Sequence, residues 1–276
     1  MATAYSEATD PYCLRAQERH ALLQGHPWRR FVVLGDSVAE GLCEPVDGYS
    51  EVQWADRIAA ELRARAPELV YRNLGLRGLR ADQVRASQLG PALEFEPDLA
   101  LVVCGGNDAF RPGYDPAAVD AEITRMVEAL QHAGATVITV GMFDVSHSPA
   151  VPEPRRAGLG RRLRRLAEHT RAVANRLGTV HVHLTDHPLT ADPSIYSSDG
   201  RHGSARSDAV AAAETLRSLA HHLGATSADR SSPAGRGPAP GGNGPHTTSQ
   251  DGGGSVTSRP EISTPRARLS TPALPG

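Results

Sequence analysis

Apolar positions over roughly the first 223 residues fall into two patterns, short unbroken runs and longer stretches with helical spacing. Phe31-Val32-Val33-Leu34 carries no charge and stops abruptly at Gly35-Asp36-Ser37, as a strand buried on both faces of a parallel sheet would. Similar runs at 69–74, 99–104, 135–140 and 179–184 predict further strands. Between them, Val52, Trp54, Ala55, Ile58, Ala59 and Leu62 recur at helical spacing and predict a helix over 49–66 that ends at Pro67. Val119, Ile123, Met126, Val127 and Leu130 mark another over 117–133, opened by Asp115-Pro116. Less regular patterns predict helices over 11–23, 81–95, 159–177 and 204–223.

Strands that alternate with helices at this spacing predict an α/β fold, with a five-stranded parallel sheet sandwiched between helix layers. Three glycine-marked loops follow the carboxyl ends of strands, where open α/β sheets place their ligands. Ser37, the Gly75 to Gly78 loop and Asn107 can therefore converge on one edge of the sheet. Gly75 and Gly78 suggest close backbone approach, but GxGxxG spacing is missing, so no dinucleotide site is indicated.

Composition divides the chain. Residues 1–28 read as a helical lead-in and 29–223 as the folded domain. From Gly224 onward more than half of the residues are Gly, Pro, Ser or Thr, too little apolar surface to offset ordering entropy, so 224–276 is expected to be a disordered tail. With 29 basic and 31 acidic residues the formal charge is −2, which argues against nucleic acid or an anionic membrane as the default partner. Every non-histidine base is Arg. Cys13, Cys43 and Cys104 lack CxxC spacing and read as buried free thiols rather than a disulfide framework or a zinc site. No stretch has secretory or membrane-spanning character, and a cytoplasmic protein is the expectation. The sequence does not specify an oligomeric state.

Ser37 is the candidate nucleophile by its position past the first strand, although Gly-Asp-Ser alone is also an ordinary turn. Taken together, Gly35-Asp36-Ser37, Asn73-Leu74-Gly75-Leu76-Arg77-Gly78, Gly105-Gly106-Asn107-Asp108 and Asp199-Gly200-Arg201-His202 resemble, in order and rough spacing, the four blocks of the SGNH (GDSL-type) hydrolases. The resemblance covers about residues 30–222. It implies a flavodoxin-like three-layer sandwich and hydrolysis of esters or thioesters, with acyl transfer in some members. It also implies Ser37 as nucleophile, Asp199 and His202 as its triad partners, and an oxyanion hole formed with Gly78 and Asn107.

The residue types suit that chemistry. A serine hydroxyl needs a base, usually a histidine held by a carboxylate, and Asp199 and His202, three positions apart in a turn-rich segment, supply one. The backbone N–H groups of Ser37 and Gly78 and the Asn107 amide are the expected oxyanion donors, with Gly75 as the alternative to Gly78. Asp36 and Asp108 are expected to brace their loops. No metal or organic cofactor is called for. His181, His183, Asp186 and His187 have metal-like spacing, but the two strand histidines fall within a buried run. Arg155 to Arg165 reads as a solvated helix face, whereas Arg77, Arg80 and Arg111 follow site loops and could attract an anionic substrate group. The expected partner is a small ester. An acyltransferase, or a binding module on a degenerate hydrolase fold, are the rival readings.

Overall fold

In a computed structural model of the chain, residues 5–231 are described. The chain begins with α1 (Ala16–Ala21) and enters the sheet at β1 (Arg30–Gly35). A single turn, α2 (Ser37–Glu40), follows at once, and then α3 (Trp54–Arg63), β2 (Val70–Asn73), α4 (Ala81–Glu94) and β3 (Leu99–Val103). A second short turn, α5 (Gly106–Ala109), precedes α6 (Pro116–His132), β4 (Thr136–Gly141), α7 (Glu153–Leu177), β5 (Val180–His183) and α8 (Ala205–Ser231). All strand pairs among the described residues are parallel, in the order β2-β1-β3-β4-β5. This is the doubly wound order of flavodoxin-like sheets, whose switch point lies between β1 and β3.

Alternation along β1 explains its unbroken apolar run. Phe31 and Val33 pack into the layer that holds Ile58, Leu62 and Leu216, whereas Val32 and Leu34 face the one that holds Val84, Met126 and Leu163. All four are fully buried, so a charge on either face would lack solvent. α3 and α8 cover one side of the sheet, and α4, α6 and α7 the other.

The boundaries differ where local chemistry overrides periodicity. α3 begins at Trp54 rather than at 49, because Val52 is exposed and the preceding loop is tied down, with the Ser50 N–H donating to Glu7. α7 starts six residues before the expected 159, since Pro154 fits the first turn, where no intrahelical N–H is needed. α8 continues to Ser231, eight positions past the expected end at Leu223 and into the segment expected to be a tail; 232–276, the rest of that segment, lies outside the described residues. Cys13 and Cys104 are buried free thiols, and Cys43 is half-buried. No described helix is long and apolar enough to cross a membrane.

Candidate active site

The turn after β1 depends on a missing side chain. Gly35 has φ +158°, and a Cβ there would lie 2.0 Å from the Val103 carbonyl oxygen and 2.8 Å from Ala39 Cβ. Buried Gln88 of α4 clamps the same residue, accepting from the Gly35 N–H at 2.8 Å and donating to its carbonyl at 2.9 Å. Asp36 then caps α2, its Oδ1 accepting from the Val38 N–H at 3.0 Å. Ser37 is thus fixed as the first residue of α2, with a backbone N–H that has no intrahelical acceptor.

His202 arrives on the loop between β5 and α8. The Ser197 N–H donates to the His202 carbonyl and the Ser204 N–H to that of Ile195, both at 3.0 Å. These bonds close a tight loop that includes Gly200, at φ +67°. Glu44 holds the loop from outside, accepting from the N–H and the hydroxyl of Ser198, each at 2.7 Å. Behind it, the buried Arg206 bridges Asp192 at 2.5 Å and Asp10 at 2.8 Å.

These constraints bring His202 Nε2 to 2.8 Å from Ser37 Oγ and His202 Nδ1 to 2.5 Å from Asp199 Oδ2. Asp199 Oδ1 accepts from the Ser197 hydroxyl at 2.5 Å and from the Arg201 and His202 N–H groups at 2.8 and 3.0 Å. Burial alone would raise the Asp199 pKa, but hydrogen bonds from Ser197, His202 and the two backbone N–H groups outweigh it and hold the carboxyl well below the usual carboxylate range. An ionised acceptor at Nδ1 keeps the proton on that nitrogen and leaves Nε2 free to accept from Ser37.

The second and third loops reach the same cavity. Gly78 lines it with φ +80°, has open space where a Cβ would be, and makes no backbone hydrogen bond among the described residues. Gly75 is engaged differently. Its N–H donates to Asn73 Oδ1 at 2.9 Å, and a Cβ there would sit 2.3 Å from the Glu40 nitrogen. Gly75 therefore lets the loop pack on α2, and the alternative assignment to it is not supported. Asn107 Nδ2 donates to the Leu79 carbonyl at 3.0 Å and lies 3.4 Å from Asp36 Oδ2. Asp108 Oδ2 accepts from the Ala81 N–H at 3.0 Å, joining α5 to the start of α4. Burial pushes the Asp36 carboxyl up to about 7.

The cavity has a volume of about 460 Å³ and is bordered by Ser37, Gly78, Asn107 and His202. Its wall is mostly apolar, with Val38, Leu42, Trp54, Met142, Phe143 and Leu184 among its members. Asp208 also lines it. That buried carboxyl takes a hydrogen bond from the Cys43 thiol, leaves Oδ2 without a partner, and is pushed up to about 7 by burial.

Other candidates fall elsewhere. His183 Nε2 bonds Asp186 at 2.9 Å, His181 Nδ1 meets the Thr139 hydroxyl at 3.1 Å, and His187 packs edge-on against Tyr12 and Phe143. Among the described residues no three His, Cys, Asp or Glu side chains are grouped to hold a metal. Arg77 lines the cavity but pairs with Glu40 at 2.9 Å, Arg80 pairs with Asp82 at 3.0 Å, and Arg111 borders a separate hollow with Asp82, Asp108 and Glu122. Sequence reasoning missed Gln88 and Asp208, since a polar residue inside an expected helix carries no sign of which way it faces.

Comparison with known proteins adds two findings. A family model described as "GDSL-like Lipase/Acylhydrolase family" matches residues 33–210. A structure described as "a putative GDSL-like lipase from Parabacteroides merdae ATCC 43184" superposes with a TM-score of 0.59 at 15% identity, covering 69% of this chain and 94% of that one. The psychrotrophic esterase EstA from Pseudoalteromonas sp. gives 0.55 at 15% identity, over 71% and 99%. The lipase/acylhydrolase from Enterococcus faecalis gives 0.56 at 20% identity, over 70% and 96%. At these identities the structural likeness speaks for the fold. No curated protein matches the chain.

Proposed function

Since the chain belongs to the GDSL-like lipase/acylhydrolase family, we propose that it is a serine hydrolase that cleaves carboxylic esters through an acyl-enzyme on Ser37. The observation that carries this reading is the continuous hydrogen-bonded chain from Ser37 Oγ through His202 to Asp199. In the first step His202 Nε2 takes the Ser37 proton as Oγ attacks the ester carbonyl, and Asp199 stabilises the imidazolium that results. His202 then returns the proton to the departing alcohol. Water, deprotonated by the same imidazole, attacks the acyl-enzyme, and Ser37 is released with the acid.

The tetrahedral oxyanion needs donors already aimed at it, each typically worth about 10²–10³ in rate. The N–H groups of Ser37 and Gly78 and the Asn107 amide are the proposed three, all from residues that line the cavity. The Leu79 carbonyl orients that amide by accepting from one of its two N–H groups, and the other, on a nitrogen 3.4 Å from Asp36 Oδ2, is the one that turns to the oxyanion. The apolar remainder of the cavity suits an acyl chain, and its volume lies within the roughly 300–1,000 Å³ of small-molecule sites.

A fluorophosphonate probe tests the reading. One equivalent should attach to Ser37 in the wild-type protein and none in Ser37→Ala, with p-nitrophenyl butyrate turned over only by the former. The Pseudoalteromonas esterase structure is described as inhibited by monoethylphosphonate, and the same chemistry is expected here. Unlabelled wild-type protein, correctly folded, would leave the binding-module reading. Product analysis with added alcohol acceptors separates hydrolysis from acyl transfer.

A further inference from the structure

A second hollow opens beside the first and differs from it in charge. It has a volume of about 530 Å³ and shares Phe110, Asp199 and Arg201 with the cavity at Ser37. Arg155, Arg162 and Arg201 line it, and Asp199 is the one acid on its wall. Asp199 is already committed, since both of its oxygens accept hydrogen bonds inside the loop.

The three arginines contrast with others near the site. Arg77, Arg80, Arg164 and Arg206 all meet carboxylates, whereas Arg155, Arg162 and Arg201 have no ion pair among the described residues. Arg162 Nε is buried without any hydrogen-bond partner, and Arg201 lies over the Phe110 ring, 5.5 Å from its centroid. Arg155 and Arg162 are seven positions apart and so share one face of α7. Gly158 between them leaves space, because a Cβ there would meet nothing within 4 Å. The arginine run that reads in sequence as a solvated face therefore turns two of its members into a cleft.

Arg155 and Arg201 are exposed and Arg162 is half-buried with its Nε unsatisfied, so their guanidinium groups are open to a ligand, and their fork geometry matches phosphate oxygens. The location fixes which half of a substrate is involved. In the serine-hydrolase reading, on which this inference rests, His202 protonates the leaving group, so that group departs past the loop that carries Asp199 and Arg201. We propose that this basic cleft binds a phosphate carried on the alcohol or thiol half of the substrate, while the acyl half occupies the apolar cavity.

The test compares 1-butyrylglycerol 3-phosphate with 1-butyrylglycerol, both soluble, on the full chain. The phosphorylated ester should have the higher kcat/KM, by about tenfold or more and chiefly through KM, with the advantage shrinking as salt is added. In R155Q/R162Q the ratio should fall towards one; R162Q alone serves if the double variant unfolds. A wild-type ratio of one or less, or a ratio unchanged in the folded variant, overturns the proposal. Calorimetric binding of glycerol 3-phosphate reads the cleft independently of turnover. Binding that weakens in R155Q/R162Q supports it even in a protein that fails to hydrolyse either ester, in which case the hydrolase reading falls instead. Absence of binding in a protein that still cleaves p-nitrophenyl butyrate removes the cleft and leaves the hydrolase. Arginine-dependent sedimentation with phosphatidylglycerol/phosphatidylcholine vesicles, without binding of glycerol 3-phosphate, would make these arginines a membrane-headgroup surface and also overturn it.

Discussion

His202 Nε2 lies 2.8 Å from Ser37 Oγ although 165 positions separate them in the chain. The contact closes because β1 and the β5–α8 loop are each anchored separately, by Gln88 on one side and by Glu44 and Arg206 on the other. Two groups that act only as a pair should show it in their energetics. Ser37→Ala and His202→Ala are each expected to lower kcat by about 10⁴–10⁶, and the double variant to be no worse than either single one. Multiplicative losses in steady-state kinetics would mean that the two residues act independently.

Asp199 tests how much the carboxylate adds. Its side chain is about half exposed, at 48%, so water screens part of its charge. Asp199→Asn is expected to lower kcat/KM by about 10²–10⁴ at neutral pH, since an amide cannot hold the same imidazole tautomer and also stabilise its cation. The depressed pKa gives the direction of the pH effect. Its stabilising contribution is present above the ordinary carboxylate value and disappears only as pH falls through the lower folded-state value. Wild-type protein should therefore keep Asp199 ionised at pH 4, and a ¹³C carboxyl titration by NMR that found it half-protonated there would contradict the geometry.

Gln88 supplies a stability test away from the chemistry. Its amide satisfies both the N–H and the carbonyl of Gly35, immediately before Asp36 and Ser37. Gln88→Leu keeps the volume but strands a buried N–H, and about 1–3 kcal/mol of unfolding free energy should be lost. Chemical denaturation would measure it. An unchanged midpoint with an unchanged m-value would mean that the clamp contributes nothing.

Much of the architecture can be read before any coordinates, and the reasons are local. Val32 and Val33 face opposite helix layers, so the run is apolar throughout and announces a central strand. Gly35, Gly78 and Asn107 stand out because turns and close approach leave few alternatives to glycine, and an amide beside them is conspicuous. What stays hidden depends on side-chain direction. Gln88 and Asp208 sit inside helices whose periodicity does not show that a polar residue faces inward. Arg155 and Arg162 look solvated, because only the packed loops around α7 create the cleft they line. Arg77 and Arg80, whose proximity to the site loops suggests anion binding, prove to be neutralised by Glu40 and Asp82, pairings set by tertiary contact in one case and by a two-residue reach in the other.

Asp208 connects the cavity to the stability of the whole domain. It is buried on the first turn of α8, with the Cys43 thiol as its hydrogen-bond donor, the Arg57 charge acting to lower its pKa and Asp56 to raise it. Burial dominates, and the carboxyl is held protonated up to about 7. The unfolded chain releases this proton near pH 4, so between there and about 7 the folded state binds more protons than the unfolded one. Stability must then fall as pH rises through that window, by up to about 4 kcal/mol from this group, and level off above it. Asp208→Asn removes the titration but keeps the shape. Its stability relative to wild type should improve steadily from pH 4 to pH 7 and then stay constant. Asp36, with a similar upward displacement, titrates in both proteins and cancels from the difference. Urea unfolding of the two proteins at several pH values measures that difference directly, and curves that run parallel throughout would show that Asp208 ionises as easily in the folded chain as in water.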